Sequence, residues 1–428
     1  MSTGESVEST LPDSLQVLRH SDRVKGLTQN PNPPLWTDYY EDFHPSSRPR
    51  ESLEVPDQDL PRLAAPTRNP KSIRKLLRFA RVFWNMIRRP AITTSLPVHL
   101  QMESTDACNL HCTSCSRDMI VQKARMLDAE LWKKVIREIR PSNINVSGIG
   151  EPFLNPQIFE IIQFARERGA AINCATNFTR VKGRHRQIVE CGISQLKVSI
   201  DAATRETYRV IRGEDEFEGI IENLKEIRRW KKKLNKSTPS VRFNFALQRF
   251  NYQELPALLE MAPELGVDGI YVQYLSYNDM EERKTLLTAD MTREGLKKVL
   301  EETAVVAKKH HLATNLEAWE RDFDLLWKAM LPMPEYEPNR KQCYFPWMST
   351  WLSADGWVRP CPVMPWTRDE GRMGNLAEQS FSEIWNNRQY RELREALARG
   401  ERPTRSCKTC YPQDLKNILM LKAKLLPK

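Results

Sequence analysis

The chain has 428 residues, 40% hydrophobic and 28% charged, enough for a large core and for more than one domain. No apolar run is long enough to span a bilayer, and the opening Met-Ser-Thr-Gly-Glu-Ser lacks the basic and apolar regions of an export signal. The nine cysteines therefore point to metal ligation in the reducing cytoplasm, not to disulfides. The net charge of +10 excludes a broad nucleic-acid-binding face, because nine basic and no acidic residues lie between Leu60 and Met102 and the remainder is nearly neutral.

Residues 1–70 are polar and rich in proline, with no sustained period, and read as an extension without packed structure. Residues 71–96 are different. Ile73, Leu76, Leu77, Ala80, Phe83, Trp84 and Ile87 recur at helical spacing, with basic residues mostly on the other side. Two readings stand: a helix docking its apolar face on the core, or a basic amphipathic helix (71–89) contacting an anionic membrane surface or a partner.

From residue 97 to about 335, short apolar runs alternate with amphipathic stretches. Strands are expected at Val98–Met102, Ile144–Val146, Ala171–Cys174, Leu196–Ile200, Val241–Leu247 and Gly269–Tyr274. Helices are expected between them, at Asp128–Arg140, Gln157–Arg168, Phe217–Lys232 and Tyr252–Leu265. Strict alternation predicts an α/β fold with a parallel sheet, and six units are too few for a closed eight-fold barrel. An open, partial (β/α)6 barrel results, with its chemistry at the carboxyl ends of the strands. Residues 336–428 form a small cysteine-rich region, with a hairpin turning at Asp355-Gly356, a helix over Ser382–Leu397 and a closing helix.

The first expected strand leads into Cys108, Cys112 and Cys115, spaced C-x3-C-x2-C. Three thiolates can hold three irons of a cubane and leave the fourth open to a substrate or cosubstrate. The rival is a zinc site completed by His111. Cys343, Cys361, Cys407 and Cys410 follow as C-x17-C-x45-C-x2-C, a set that can close a further 4Fe–4S cluster or a small zinc ribbon. Cys174 and Cys191 stand alone and read as inert core thiols.

The cysteine run, with Ser147-Gly148-Ile149-Gly150-Glu151-Pro152 after the second strand, resembles the radical S-adenosylmethionine (SAM) superfamily. Ala175-Thr176-Asn177, Val198-Ser199-Ile200-Asp201 and Val210-Ile211-Arg212-Gly213 continue the likeness in order. The resemblance implies that SAM chelates the open iron and is split to methionine and a 5′-deoxyadenosyl radical, which abstracts hydrogen from substrate. It further implies cofactor-binding roles for Gly148, Gly150, Glu151 and Pro152 toward the methionyl ammonium. Ser199 and Arg212 would face the carboxylate or ribose, and Asn177 and Asp201 would stand beside them. Taken singly, Ser199, Asp201 and Asn177 read equally well as capping or turn residues. Asn244, Gln248, Tyr271 and Gln273 are candidates to reach into the barrel. The four later cysteines, with Gly374-Asn375-Leu376 and Ile384-Trp385, resemble a SPASM or twitch auxiliary-cluster domain holding a second 4Fe–4S cluster.

A closed second cluster suggests electron transfer, and so the oxidation of a small metabolite such as a sugar-like or cyclitol-like alcohol. A peptide-modifying maturase is the alternative, and a non-catalytic metal-cluster scaffold is the reading from another class. No proton acceptor stands out in the sequence. The partners expected are a small-molecule substrate, or a peptide, and an electron donor such as flavodoxin or ferredoxin; no nucleic acid is expected.

Overall fold

The computed structural model describes residues 73–274, 287–330, 343–362 and 371–410. The expected Pro-rich extension and closing helix lie outside the described residues.

Nine strands form one sheet in the order β6-β5-β4-β3-β2-β1-β7-β8-β9. The first six are β1 (His99–Met102), β2 (Asn143–Val146), β3 (Ala171–Thr176), β4 (Gln195–Ser199), β5 (Ser240–Ala246) and β6 (Gly269–Gln273). All six are parallel to their neighbours, as helical crossovers require, and they curve into a partial barrel that does not close. Strand alternation sets the two faces apart. Leu100, Ile144, Ile172, Leu196, Phe243 and Ile270 point outward into the helix layer and are buried. Gln101, Asn145, Asn173, Lys197, Arg242 and Asn244 line the inner face instead. The buried core thus lies between sheet and helices, while the barrel interior is polar.

The crossovers are set by local chemistry. The helix Ala129–Ile139 starts where the Asp128 carboxylate accepts from the Glu130 and Leu131 amides, and it ends on Arg140 in the left-handed region (φ 47°). The helix Arg205–Arg212 starts on the Thr204 hydroxyl and stops at Gly213, φ 78°. The stretch expected as one helix over Ser382–Leu397 is two, Phe381–Trp385 and Arg388–Ala398. Ser380 and Glu383 cap the first in a reciprocal box, and Asn387 restarts the chain by accepting from the Tyr390 amide.

The hairpin of β7 (Ser349–Leu352) and β8 (Trp357–Arg359) turns at Asp355-Gly356 as expected, with Gly356 at φ 81°. It does not stand apart from the barrel. β7 pairs in parallel with β1, so the cysteine-rich region extends the barrel's own sheet, and β9 (Gly374–Asn375) completes it.

The N-terminal helix, Ile73–Arg88, overturns the reading in which its apolar face docks on the core. The face that packs inward carries Arg78, Val82, Asn85 and Met86. Arg78 donates to the carbonyls of Pro97, Ile139 and Arg140, satisfying the end of the Ala129–Ile139 helix. Asn85 donates to the Ser95 hydroxyl (2.8 Å). Leu77, Ala80, Phe83, Trp84 and Ile87 are left exposed, Trp84 by 60%. The spacing gave a stripe but not the side that meets protein; buried carbonyls recruited the guanidinium inward.

Candidate cluster and cosubstrate site

The loop after β1 is held from several sides by backbone hydrogen bonds. The Ala107 carbonyl accepts from the Glu151 amide (2.7 Å), and the Ser104 carbonyl accepts from Leu127 (3.0 Å) and from the Asn155 side chain (2.7 Å). Arg117 Nε donates to the Asp106 carbonyl (2.8 Å). Cys108, Cys112 and Cys115 are half-buried thiols outside any disulfide. Burial and the neighbouring Cys112 push Cys108 up to about 12, and the same causes push Cys115 to about 11. Thiols that repel one another's ionisation are suited to a shared polynuclear cation, which would draw off their protons. His111 is turned to Asp118 (3.3 Å), and among the described residues no three His, Cys, Asp or Glu side chains converge on a single ion. With His111 engaged by Asp118, the fourth ligand of a zinc site is drawn elsewhere, and the three cysteines fit a cluster with one open iron.

The turn after β2 packs against this loop. A Cβ on Gly150 would lie 2.4 Å from the Thr105 carbonyl oxygen and 2.5 Å from that of Ala107, and one on Gly148 would lie 2.3 Å from Glu103 Oε1. Both glycines thus let the turn and the cysteine loop touch. Pro152 is buried at the start of a 3₁₀ turn. Glu151 is buried and fully engaged, accepting from the Phe153 amide (3.0 Å), the Thr176 hydroxyl (2.7 Å) and the Asn177 amide (2.6 Å). Asn177 in turn donates from Nδ2 toward Cys108 Sγ (3.8 Å) and Asn109 Oδ1 (3.2 Å). Glu151 and Asn177 form a relay from the glycine turn to a cysteine.

A second relay comes from β4. Asp201, at φ 56° just past the strand, accepts from the Ala246 amide (2.7 Å) and pairs with the buried Arg212 (2.6 Å). Arg212 also reaches Cys112 Sγ (3.5 Å). Burial opposes its charge, but Asp201 and Cys112 outweigh that and hold it protonated. The Ile211 carbonyl accepts from the Thr113 amide (2.8 Å), and Gly213 leaves room for the His111 carbonyl, 2.8 Å from where a Cβ would sit. Ser199 ends β4 on the inner face beside Asn244, with no hydrogen-bond partner among the described residues. Of the four further candidates, Asn244 and Tyr271 are half-buried on neighbouring strands, and Gln273 is exposed. Gln248 is wholly buried, with both amide atoms unpartnered.

Sequence reasoning missed Glu103, which joins the two cysteine regions. One carboxylate oxygen accepts from the Ile149 amide (2.6 Å), the other from the Ala354 amide in the hairpin turn (3.1 Å). Burial, with Asp106 and Asp355 adding to it, raises its pKa to about 7 against those two hydrogen bonds. A lone acid at a strand end carries no spacing signal. Cys343, Cys361, Cys407 and Cys410 are half-buried and outside any disulfide, and burial, followed by the neighbouring thiols of Cys343, Cys361 and Cys407, raises the pKa of Cys410. Four thiols in one neighbourhood fit a fully ligated cluster.

A half-open parallel barrel with a three-thiol loop at its carboxyl end defines an iron–sulfur enzyme of the radical type, here with a second four-thiol site. Comparison with known proteins agrees. The family profile "Radical SAM superfamily" matches residues 102–262, and "Iron-sulfur cluster-binding domain" (SPASM) matches 343–411. The cofactor-modifying protein of the tungsten-containing aldehyde ferredoxin oxidoreductase of Pyrococcus furiosus is 24% identical over 68% of this chain and 82% of its own length. The AdoMet-dependent heme synthase of Methanosarcina barkeri is 27% identical over 71% and 86%. Among solved structures, Streptococcus suis SuiB bound to SAM has the same fold (TM-score 0.56, 16% identity, 81% of this chain and 79% of that one). SuiB is also known bound to its precursor peptide SuiA. The chain thus carries a radical SAM domain over residues 102–262 and a SPASM domain over 343–411, and it is an enzyme whose domains bind SAM and 4Fe–4S clusters.

Proposed function

We propose that this enzyme oxidises a small molecule, converting a carbinol to a carbonyl. Cys108, Cys112 and Cys115 would hold the SAM-binding cluster, and Cys343, Cys361, Cys407 and Cys410 the auxiliary one. When bound, the cofactors would supply one-electron chemistry at both ends of the reaction, hydrogen-atom abstraction from the carbinol carbon at the SAM-binding end and uptake of the released electron at the auxiliary end, while the hydroxyl proton would leave to water. The chain's own residues fix the loop, through Glu151 and Asn177 at Cys108 and through Asp201 and Arg212 at Cys112. Gly148, Gly150 and Pro152 shape the turn beneath it, and Ser199 offers a free hydroxyl on the face toward the cosubstrate.

The single observation that carries this reading is the pairing of a three-cysteine loop with a separate neighbourhood of four cysteines, in regions whose strands share one sheet. A fully ligated cluster has no iron free for substrate and is suited to taking up an electron. A small molecule is favoured over a peptide because the named sequence relatives concern a cofactor and a heme, whereas the likeness to SuiB is one of fold.

The test is anaerobic reconstitution followed by dithionite and SAM. Wild-type protein should carry about eight irons, two four-iron clusters, and release 5′-deoxyadenosine. Cys112→Ala should release none. Cys407→Ala should keep about four irons and still release deoxyadenosine, but without completing substrate oxidation. Zinc in place of iron, or full turnover by the Cys407 variant, would refute the reading.

A further inference from the structure

The inner face of the barrel carries more polar groups than it can satisfy. The strand register sets Trp351, Gln101, Asn145, Asn173 and Gln195 in one row across β7, β1, β2, β3 and β4. The next row toward the cysteine loop holds Ala175, Lys197 and Arg242. Four buried atoms in these two rows have no hydrogen-bond partner among the described residues: Trp351 Nε1, Asn145 Oδ1, Asn173 Oδ1 and Arg242 Nε. Native proteins rarely leave such groups unpaired without a water or ligand to meet them. Lys197 also lacks a hydrogen-bond or ion-pair partner among the described residues, and its neighbour across the strand pair is another cation. Burial and Arg242 together lower its pKa to about 8. The acid nearest in effect, Asp268, acts on Arg242 only at a distance, and it accepts from the Val241 amide. Asp201 and Glu151, at the mouth, are already engaged by Arg212 and by protein donors.

We propose that the barrel interior binds a small polyhydroxylated substrate bearing a carboxylate or phosphate, its anionic end held by Lys197 and Arg242. The assignment rests on the enzyme reading above and names its substrate class. Water could satisfy the amides but would leave two neighbouring cations with no carboxylate in ion-pair contact. The oxygens of Asn145 and Asn173 accept only, so they suit hydroxyl donors on the same guest. Lys197 and Arg242 lie two residues below Ser199 and Asn244, about 7 Å deeper in the barrel. A guest anchored there directs its remaining carbons toward the cysteine loop.

The probes are D-glucose, D-glucuronate and D-glucose 6-phosphate, titrated calorimetrically into the anaerobic, SAM-loaded enzyme. At least one anionic probe should bind about tenfold or more tighter than glucose, a usual worth for a charged contact; the better of the two identifies carboxylate or phosphate. Lys197→Met with Arg242→Met should erase the preference and leave SAM affinity and deoxyadenosine release unchanged. The single variant Lys197→Met should melt no lower than wild type without ligand, because it removes a half-buried cation that has no ion-pair partner among the described residues. Absence of any preference in wild type, a preference that survives the double variant, or a lower melting point for Lys197→Met would each overturn the proposal. Failure of the enzyme reading shows separately, as no deoxyadenosine from wild type.

The N-terminal helix carries a second inference on independent grounds. Leu77, Ala80, Phe83, Trp84 and Ile87 form an exposed apolar stripe, and Arg81 and Arg88 are exposed beside it. The helix lies in the segment that holds nine basic residues and no acidic one. We infer that this stripe docks on an anionic lipid surface, the apolar side chains entering the headgroup region and the arginines meeting its charge. The full-length enzyme should co-sediment with vesicles containing about 30% phosphatidylglycerol and not with neutral ones, and salt should weaken the binding. Trp84→Glu with Ile87→Glu should abolish it and spare deoxyadenosine release. No co-sedimentation, binding kept by the variant, or concentration-dependent self-association that the variant removes would overturn the inference, the last by assigning the stripe to a second copy.

Discussion

Arg212 is the residue whose position says most about tuning. Its guanidinium lies 3.5 Å from Cys112 Sγ and is neutralised on its other side by Asp201. A fixed positive charge beside a cluster ligand stabilises the reduced, more negative state and so raises the reduction potential. Arg212→Gln should therefore lower the midpoint potential of the SAM-binding cluster, on the order of 50–100 mV for one charge at this distance in a partly screened interior. Arg212→Lys keeps the charge and should recover most of the shift, although it loses the two-sided fit of the guanidinium. An EPR-monitored redox titration reads both. A midpoint unchanged in Arg212→Gln would mean that the arginine serves only to hold the helix end against the loop.

At the scale of elements, the strands and crossovers were legible because each has its own period and its own punctuation. The six barrel strands fall within two residues of their expected ends, and the expected cysteine loop follows the first. Two things were not legible. The first is which side of an amphipathic helix meets the protein: Arg78 satisfies carbonyls from a distant helix end, a demand that periodicity cannot carry. The second is pairing across the chain. β7 lies about 250 residues from β1 and joins it in parallel, and nothing local marks a strand as completing a remote sheet edge. The glycines illustrate the same limit at the site. The resemblance assigned Gly148 and Gly150 to the cosubstrate, and nothing in the sequence showed the further demand that the space a Cβ would need at each is taken by Glu103 and by the cysteine-loop backbone. Lys197 and Arg242 were read past because an inward charge on a strand looks like any polar alternation until the register sets the two side by side.

Across the whole molecule, two titratable groups, the buried Glu103 and the half-buried Lys197, give stability opposite slopes on either side of neutrality. Glu103 bridges the barrel and the SPASM hairpin, and its pKa rises from 4.5 to about 7 on folding. Between those values the folded protein keeps a proton that the unfolded chain releases, so stability falls as pH rises through the window. Full burial and a shift of this size correspond to about 3 kcal/mol by the upper end. Lys197 does the reverse. Its pKa falls from 10.5 to about 8 on folding, so between 8 and 10.5 the unfolded chain binds more protons and stability climbs with pH. The contribution of Glu103 to melting temperature should accordingly fall from pH 5 to 7, and that of Lys197 should rise from pH 8 to 10. Glu103→Gln should abolish the first slope alone and Lys197→Met the second alone. Taking each variant as a difference from wild type cancels the titration of the cysteines and of every other group. If both differences stayed flat with pH, neither the acid at the joint nor the cation in the barrel would be as dry as its surroundings require, and the barrel interior would be open to bulk water in place of being reserved for a charged guest.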